Sequence, residues 1–489
     1  GDVLLSDGSN LIVNAAAITT QGIRGSSTET VSLTGSGAVS LGAIGNAGEI
    51  GDVTISGSSI GSAGITTSGG NISMNSGSGS GNISLGGTID TTGNSAATAG
   101  TVALTSATLG LTADSSIITD AATTDQAITL PASVTDGGTN PSLTLDSGSA
   151  NITLNAVGAS DNAIGSLTVS EGATVAFAGN VEASSVEVTK STTITLSNGV
   201  SIDTNSGNLF LAADTITDSG VTLVSTGGSS GIATFKGSAD TTSIGLGTGA
   251  GDLSLSETFL DKVPAEYATI QIGGSGQTGA VTLNDSDNSI SFANTGLDIY
   301  GPVSVAANMT IDTSSGNNPI TLRSTIDGGY NLSLTAGSGN VNVGGTIGGS
   351  TALSALTVSG DDLTLSDIGD ADTVGVSGAT SATATDELTL SGSTYKTNAA
   401  TYASAAGDKI LLTKGSAVTF TTSDDAIAFN TGNIKLSDGS DLSVTTAGGA
   451  ISAVAIYGTS SEDVTLSSIS GTTNTVSYTH LTLPTIVSV

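Results

Sequence analysis

Val281-Thr282-Leu283, preceded by Gly279-Ala280 and followed by Asn284-Asp285, is one copy of a unit that recurs along the whole chain. Val53-Thr54-Ile55, Ile83-Ser84-Leu85, Ile152-Thr153-Leu154, Leu253-Ser254-Leu255, Leu363-Thr364-Leu365 and Val464-Thr465-Leu466 repeat it. An apolar residue, a small hydroxyl residue and a second apolar residue make the period-2 pattern of a half-buried strand, and the flanking Gly, Asn, Asp and Ser are turn formers. The chain therefore reads as a train of very short strands. The expected register places Ile83, Leu85, Ile152, Leu154, Val281, Leu283, Leu363 and Leu365 inward, with Ser84, Thr153, Thr282 and Thr364 facing out.

Starts such as Val53, Ile72, Ile83 and Val102 are irregularly spaced, which suits a coil of two or three strands joined by turns of variable length. With roughly 20 to 25 residues per coil and about 4.8 Å between stacked strands, the chain would make on the order of 20 coils and a single rod about 100 Å long. The fold class expected is all-β, a parallel β-helix, with aliphatic columns inside and Thr/Ser columns outside. Composition agrees: 37% hydrophobic residues are placed periodically, aromatics are 3%, Trp is absent, and no shift in composition divides the 489 residues. A narrow core of Val, Ile, Leu and Ala needs no large fillers.

One segment departs from the pattern. Ser256 can cap a short helical turn over 256–264 whose Phe259, Leu260 and Val263 share a face, and Pro264 stops it. The Ala-rich residues 399–406 read as a loop or another short turn. Residues 1–475 are expected to form the shaft and 476–489 a non-native tail. Val476-Ser477-Tyr478-Thr479-His480-Leu481-Thr482-Leu483-Pro484-Thr485 lacks the repeat grammar and resembles one reading frame of a transposon-end adapter used in preparing sequencing libraries. The chain also opens at Gly1 with neither Met nor a basic leader, so both ends are expected to be truncated.

Nine Lys+Arg against 42 Asp+Glu give a net charge of −33, which disfavours nucleic acid and direct membrane insertion as partners. There is no Cys, and the one His is His480 in the aberrant tail, so thiol chemistry and a Ser-His-Asp triad lack their parts. The adjacent acids Asp361-Asp362 and Asp424-Asp425 would point to opposite faces of a strand, and basic residues such as Arg24 and Arg323 are thinly spread. Catalysis is therefore not expected. Asp285, Asp287, Asp370 and Asp372 place oxygen ligands at alternate positions, so calcium is the ion these turns suit, although neither turn continues into a full calcium loop. The other reading of such turns, solvated carboxylates bonding nearby backbone, needs no ion and no cofactor.

Leu255-Ser256-Glu257-Thr258-Phe259-Leu260-Asp261-Lys262-Val263, followed by Ile270-Gln271-Ile272-Gly273 and Gly279-Ala280-Val281-Thr282-Leu283, resembles a recurring unit of filamentous-haemagglutinin-like bacterial exoproteins. Gly349-Ser350-Thr351-Ala352-Leu353-Ser354-Ala355-Leu356-Thr357-Val358 resembles a repeat opening of the same group. The resemblance implies a right-handed β-helix, export by two-partner secretion through an outer-membrane partner, and a secreted or cell-surface adhesin acting in attachment or biofilm. It implies glycans or protein surfaces of host or neighbouring cells as partners. An extracellular glycan-active β-helix enzyme and the passenger of a classical autotransporter are the alternatives.

Overall fold

The computed structural model describes residues 1–468 and 477–479, apart from positions 27, 47, 160, 161, 229, 293, 424 and 459–461. It is nearly all β, with 55% strand and 2% helix, and its parallel strands stack into a β-solenoid of about 20 turns. The chain divides into two compact units, Gly1–Ala239 and Asp240–Val489.

In the first unit each strand pairs in parallel with one a coil later. Ile18, Val39, Ile60, Ile83, Leu109, Val134, Val157, Val181, Ile202 and Leu223 stand in register through successive coils. None is more than 5% exposed. Parallel stacking does this because every inward residue sits over its counterpart about 4.8 Å away, so one apolar position per coil becomes a continuous column.

The second unit repeats the device. Ile270, Leu297, Ile320, Val341, Leu363, Leu388, Ile410, Ile434 and Ile456 form one column. All eight residues expected to point inward are at most 1% exposed, and their hydroxyl neighbours are half-buried on the outer face. The expected helical turn is present as Glu257–Leu260: Ser256 Oγ accepts from Phe259 N at 3.2 Å, and Phe259, Leu260 and Val263 are buried.

Three expectations are corrected. Residues 399–406 are not a loop but lie within the strand Thr394–Leu412, because Ala400 and Tyr402 point inward and pair in register with Ile427 and Phe429. The core is not purely aliphatic: Tyr395 stacks on Phe420 with ring centroids 4.6 Å apart, and Tyr402 on Phe429 at 5.6 Å. Small neighbours such as Ala382 and Ala400 leave room for these rings. Nor are all hydroxyl residues outside, since Thr67, Thr204, Thr313 and Thr446 are fully buried at coil corners. Each donates to a carbonyl a few residues on, Gly70, Gly207, Asn318 and Gly449, at 2.6 to 2.9 Å, which satisfies both groups where the backbone leaves the ladder. Of the tail, Ser477–Thr479 pairs in register with Ala455–Tyr457. Position 476, His480 and the rest of 480–489 lie outside the described residues, as does Asp424.

Candidate functional site

Two of the four carboxylates read as cation ligands meet a third that the sequence reading passed over. The strand Val281–Asn284 ends in a turn carrying Asp285 and Asp287, and the winding of the coil brings this turn against the first residue of the helix, Glu257. One carboxylate oxygen from each of Glu257, Asp285 and Asp287 lies within 4.8 Å of the other two. Glu257 and Asp285 are half-buried and Asp287 is exposed. Glu257 Oε1 accepts from Ser291 N at 2.9 Å, and Asp287 Oδ1 from Ser289 N at 3.0 Å, so these groups also terminate local backbone.

Oxygens at this separation match the span across a calcium ion, whose ligands stand about 2.3–2.6 Å from the metal. Three carboxylates supply three to six of the six to eight oxygens calcium takes, and water would complete the shell. Glu257 was missed because it is 28 residues from Asp285 and no local spacing links the two.

The second pair behaves differently. Asp370 Oδ1 accepts from Asp372 N at 2.8 Å and Thr373 N at 2.6 Å, and these two N–H groups hold its carboxyl below the usual range. This is a turn closed by its own side chain. Among the described residues Asp370 and Asp372 join no cluster of three ligands. The adjacent acids act between coils instead of within a turn: Asp361 Oδ1 accepts from Thr385 Oγ1, Asp362 Oδ1 from Glu387 N, and Asp425 Oδ2 from Asn398 Nδ2, partners 24 to 27 residues away.

A second acidic group lies in the first unit. Asp146 and Glu171 occupy adjacent coils in register, and Lys190 Nζ bonds Glu171 Oε1 at 2.6 Å. Asp120 and Asp125 approach Gly148, where φ is +51° and an added Cβ would collide with a carboxylate oxygen of each. Desolvation, then the neighbouring Asp125 and Glu171 charges, push the Asp120 carboxyl up. Desolvation also acts on Asp125, but hydrogen bonds from Ser149 Oγ, Ser149 N and Ala121 N outweigh it and hold that carboxyl down. Asp146 is pushed up by desolvation first, despite a hydrogen bond from Gly148 N. Ser149, Glu171, Lys190, Thr192 and Ser238 line an open depression of about 300 Å³ beside this group.

The arrangement defines a β-solenoid with acidic turns. Comparisons with protein families, with curated proteins and with solved structures gave no match to this chain.

Proposed function

We propose that this chain is a structural and binding segment of a secreted or cell-surface bacterial adhesin, non-enzymatic, serving as a rigid spacer with a low-affinity adhesive surface in attachment or biofilm. The observation that carries the reading is the column from Ile18 to Leu223, ten residues in register through the first unit. Continuous ladders of main-chain hydrogen bonds and aliphatic columns make a stiff scaffold, and they leave a Ser/Thr- and Asp-bearing exterior for weak, distributed contacts with glycans or protein surfaces. Export through an outer-membrane partner follows from the resemblance of the segment around Ser256 to haemagglutinin-like exoproteins.

Surfaces coated with the folded chain should retain cells or glycan-bearing beads, and surfaces coated with the heat-unfolded chain should not. Equal retention by both would end the proposal. The glycan-active alternative is favoured by one observation, the carboxyls of Asp120 and Asp125 displaced in opposite directions beside a depression. It requires release of reducing sugar from a polysaccharide, lost in Asp120→Asn.

A further inference from the structure

Six successive coils of the second unit carry a hydroxyl-x-hydroxyl triplet, or a near copy of it, at the same place in one sheet: Ser289-Ile290-Ser291, Thr310-Ile311-Asp312, Ser333-Leu334-Thr335, Thr357-Val358-Ser359, Ser381-Ala382-Thr383 and Thr401-Tyr402-Ala403. Each triplet pairs residue for residue with the next, so the first residues form one column and the third residues a second. The middle residues make a core column, none more than 1% exposed. Strand alternation then turns both flanking columns outward, where every member is exposed or half-buried. Ten of these twelve outward positions are Ser or Thr, and Asp312 is the one charge among them on a chain of net −33. None of the ten hydroxyls bonds to another protein group among the described residues, unlike the outer-face pair of the first unit, where Ser116 Oγ donates to Thr88 Oγ1 at 2.9 Å.

Stacked strands set the rungs of each column about 4.8 Å apart, and the two outward residues of one triplet stand about 6.7 Å apart along the strand. The hydroxyls therefore form a rectangular net whose two repeats lie close to those of the surface oxygens on a prism face of hexagonal ice. Side-chain ladders hold a stacked sheet flat, and the branched Cβ of threonine allows little rotation about χ1, so the net is fixed before any partner arrives. We propose that this face binds ice. Waters held by the hydroxyls take up positions that the crystal face itself presents, and the ordering that the contact requires is already supplied by the fold. Neutral hydroxyls and threonine methyls suit a lattice that carries no net charge. A flat polysaccharide fits less well, because its sugar rings would need aromatic side chains to stack on and no ring stands in either outward column. The proposal is independent of the adhesive reading, since an ice face offers neither a glycan nor a cell.

Ice is grown slowly on a cold finger from a dilute solution of the folded full-length chain and an inert co-solute protein, and both proteins are measured in the ice and in the remaining liquid. The expected result is enrichment of the chain in the ice relative to the inert protein. Thr357→Tyr and Thr383→Tyr each place a ring on the net at an exposed position and leave the core untouched. Each should melt as the parent does and should fall to the ice fraction of the inert protein. Asn342, exposed between Thr321 and Thr364 in another column, provides the contrast, and Asn342→Tyr should enter ice as the parent does. Exclusion of the parent from ice, or undiminished entry by both threonine variants, overturns the proposal. Retention of the parent on crystalline cellulose together with its exclusion from ice would assign the face to a polysaccharide instead.

Discussion

The phenol of Tyr395 donates to the carbonyl of Leu365, 3.0 Å away in the coil before, and accepts from Gly392 N at 2.9 Å. Seven residues on, the Tyr402 hydroxyl is fully buried and has no hydrogen-bond partner among the described residues. Burial raises both phenols above the ordinary range, so both are neutral at physiological pH. Tyr395→Phe orphans Gly392 N and should cost about 1–3 kcal/mol, whereas Tyr402→Phe removes an unsatisfied group and should be neutral or stabilising by about 1 kcal/mol. Urea denaturation of the two variants checks the contrast, and a larger loss at Tyr402 would contradict it.

Asp367 joins two coils through one oxygen. Its Oδ1 accepts from Ser393 N and Thr394 N, each at 2.7 Å, 26 and 27 residues further along the chain. Asp367→Ala strands both half-buried N–H groups and should cost about 1–3 kcal/mol, while Asp367→Asn keeps an acceptor and should lose less than half as much. Equal losses in thermal melts would mean that charge, not acceptance, is what this position supplies.

Such links explain which features were legible beforehand. Val281, Thr282 and Leu283 disclose their faces because strand alternation is a property of adjacent residues, and Ser256 discloses the helix because a cap acts within one turn. Glu257 could not be joined to Asp285 in this way, since their meeting depends on how many residues the intervening coil takes. Tyr402 misled for a related reason: the alanines around it suggested a loop, yet they are the small partners that let a ring into the core. The buried corner threonines did have a local signal. Thr67-Ser68-Gly69-Gly70, Thr204-Asn205-Ser206-Gly207 and Thr446-Ala447-Gly448-Gly449 each place a glycine carbonyl three residues after the hydroxyl, within its reach at a tight corner.

Acid should weaken the first unit through Glu29. Ser26 Oγ and Ser26 N donate to this buried carboxylate at 2.6 and 2.7 Å, and these bonds, with smaller help from the backbone N–H groups of Glu29 and Gly8, hold its pKa down to about 2 from an ordinary 4.5. A folded-state value below the unfolded one means that the contribution is complete above 4.5 and is lost as pH falls from 4.5 toward about 2. Asp120 and Asp146, raised above 3.8, act with the opposite sign, since the folded state binds their protons more tightly and stability falls as pH rises through their window. Melting curves for the parent and Glu29→Gln should therefore converge as pH approaches 2 and separate above 4.5. A constant difference across that range would exclude Glu29 as the titrating group.

Lys190 should set the titration of the acidic group near Gly148. Its ammonium bonds Glu171 at 2.6 Å and is among the influences that lower the Asp120 carboxyl. Both partners of the ion pair are more than one-third exposed, so Lys190→Ala should cost no more than about 0.5 kcal/mol of stability. Its clearer effect is on protonation: Asp120 should titrate higher in the variant, as read by carboxyl carbon NMR. An unchanged or lower Asp120 value would show that the lysine charge does not reach it.

The register itself is tested at Leu283 and Thr282. Leu283 is fully buried and lies in register between Leu246 and Val305, while Thr282 is half-buried on the opposite face between Gly245 and Ser304. A carboxylate at 283 would enter the core between Leu246 and Val305, both apolar and buried, so Leu283→Asp should cost several kcal/mol or prevent the second unit from folding. At 282 the same carboxylate faces solvent beside a glycine and a serine, and Thr282→Asp should cost under about 1 kcal/mol. Leu283→Ala separates charge from packing, since it deletes the side chain and should cost about 2–5 kcal/mol without burying a carboxylate. Equal destabilisation by aspartate at 282 and 283 would mean that this strand does not alternate between core and solvent.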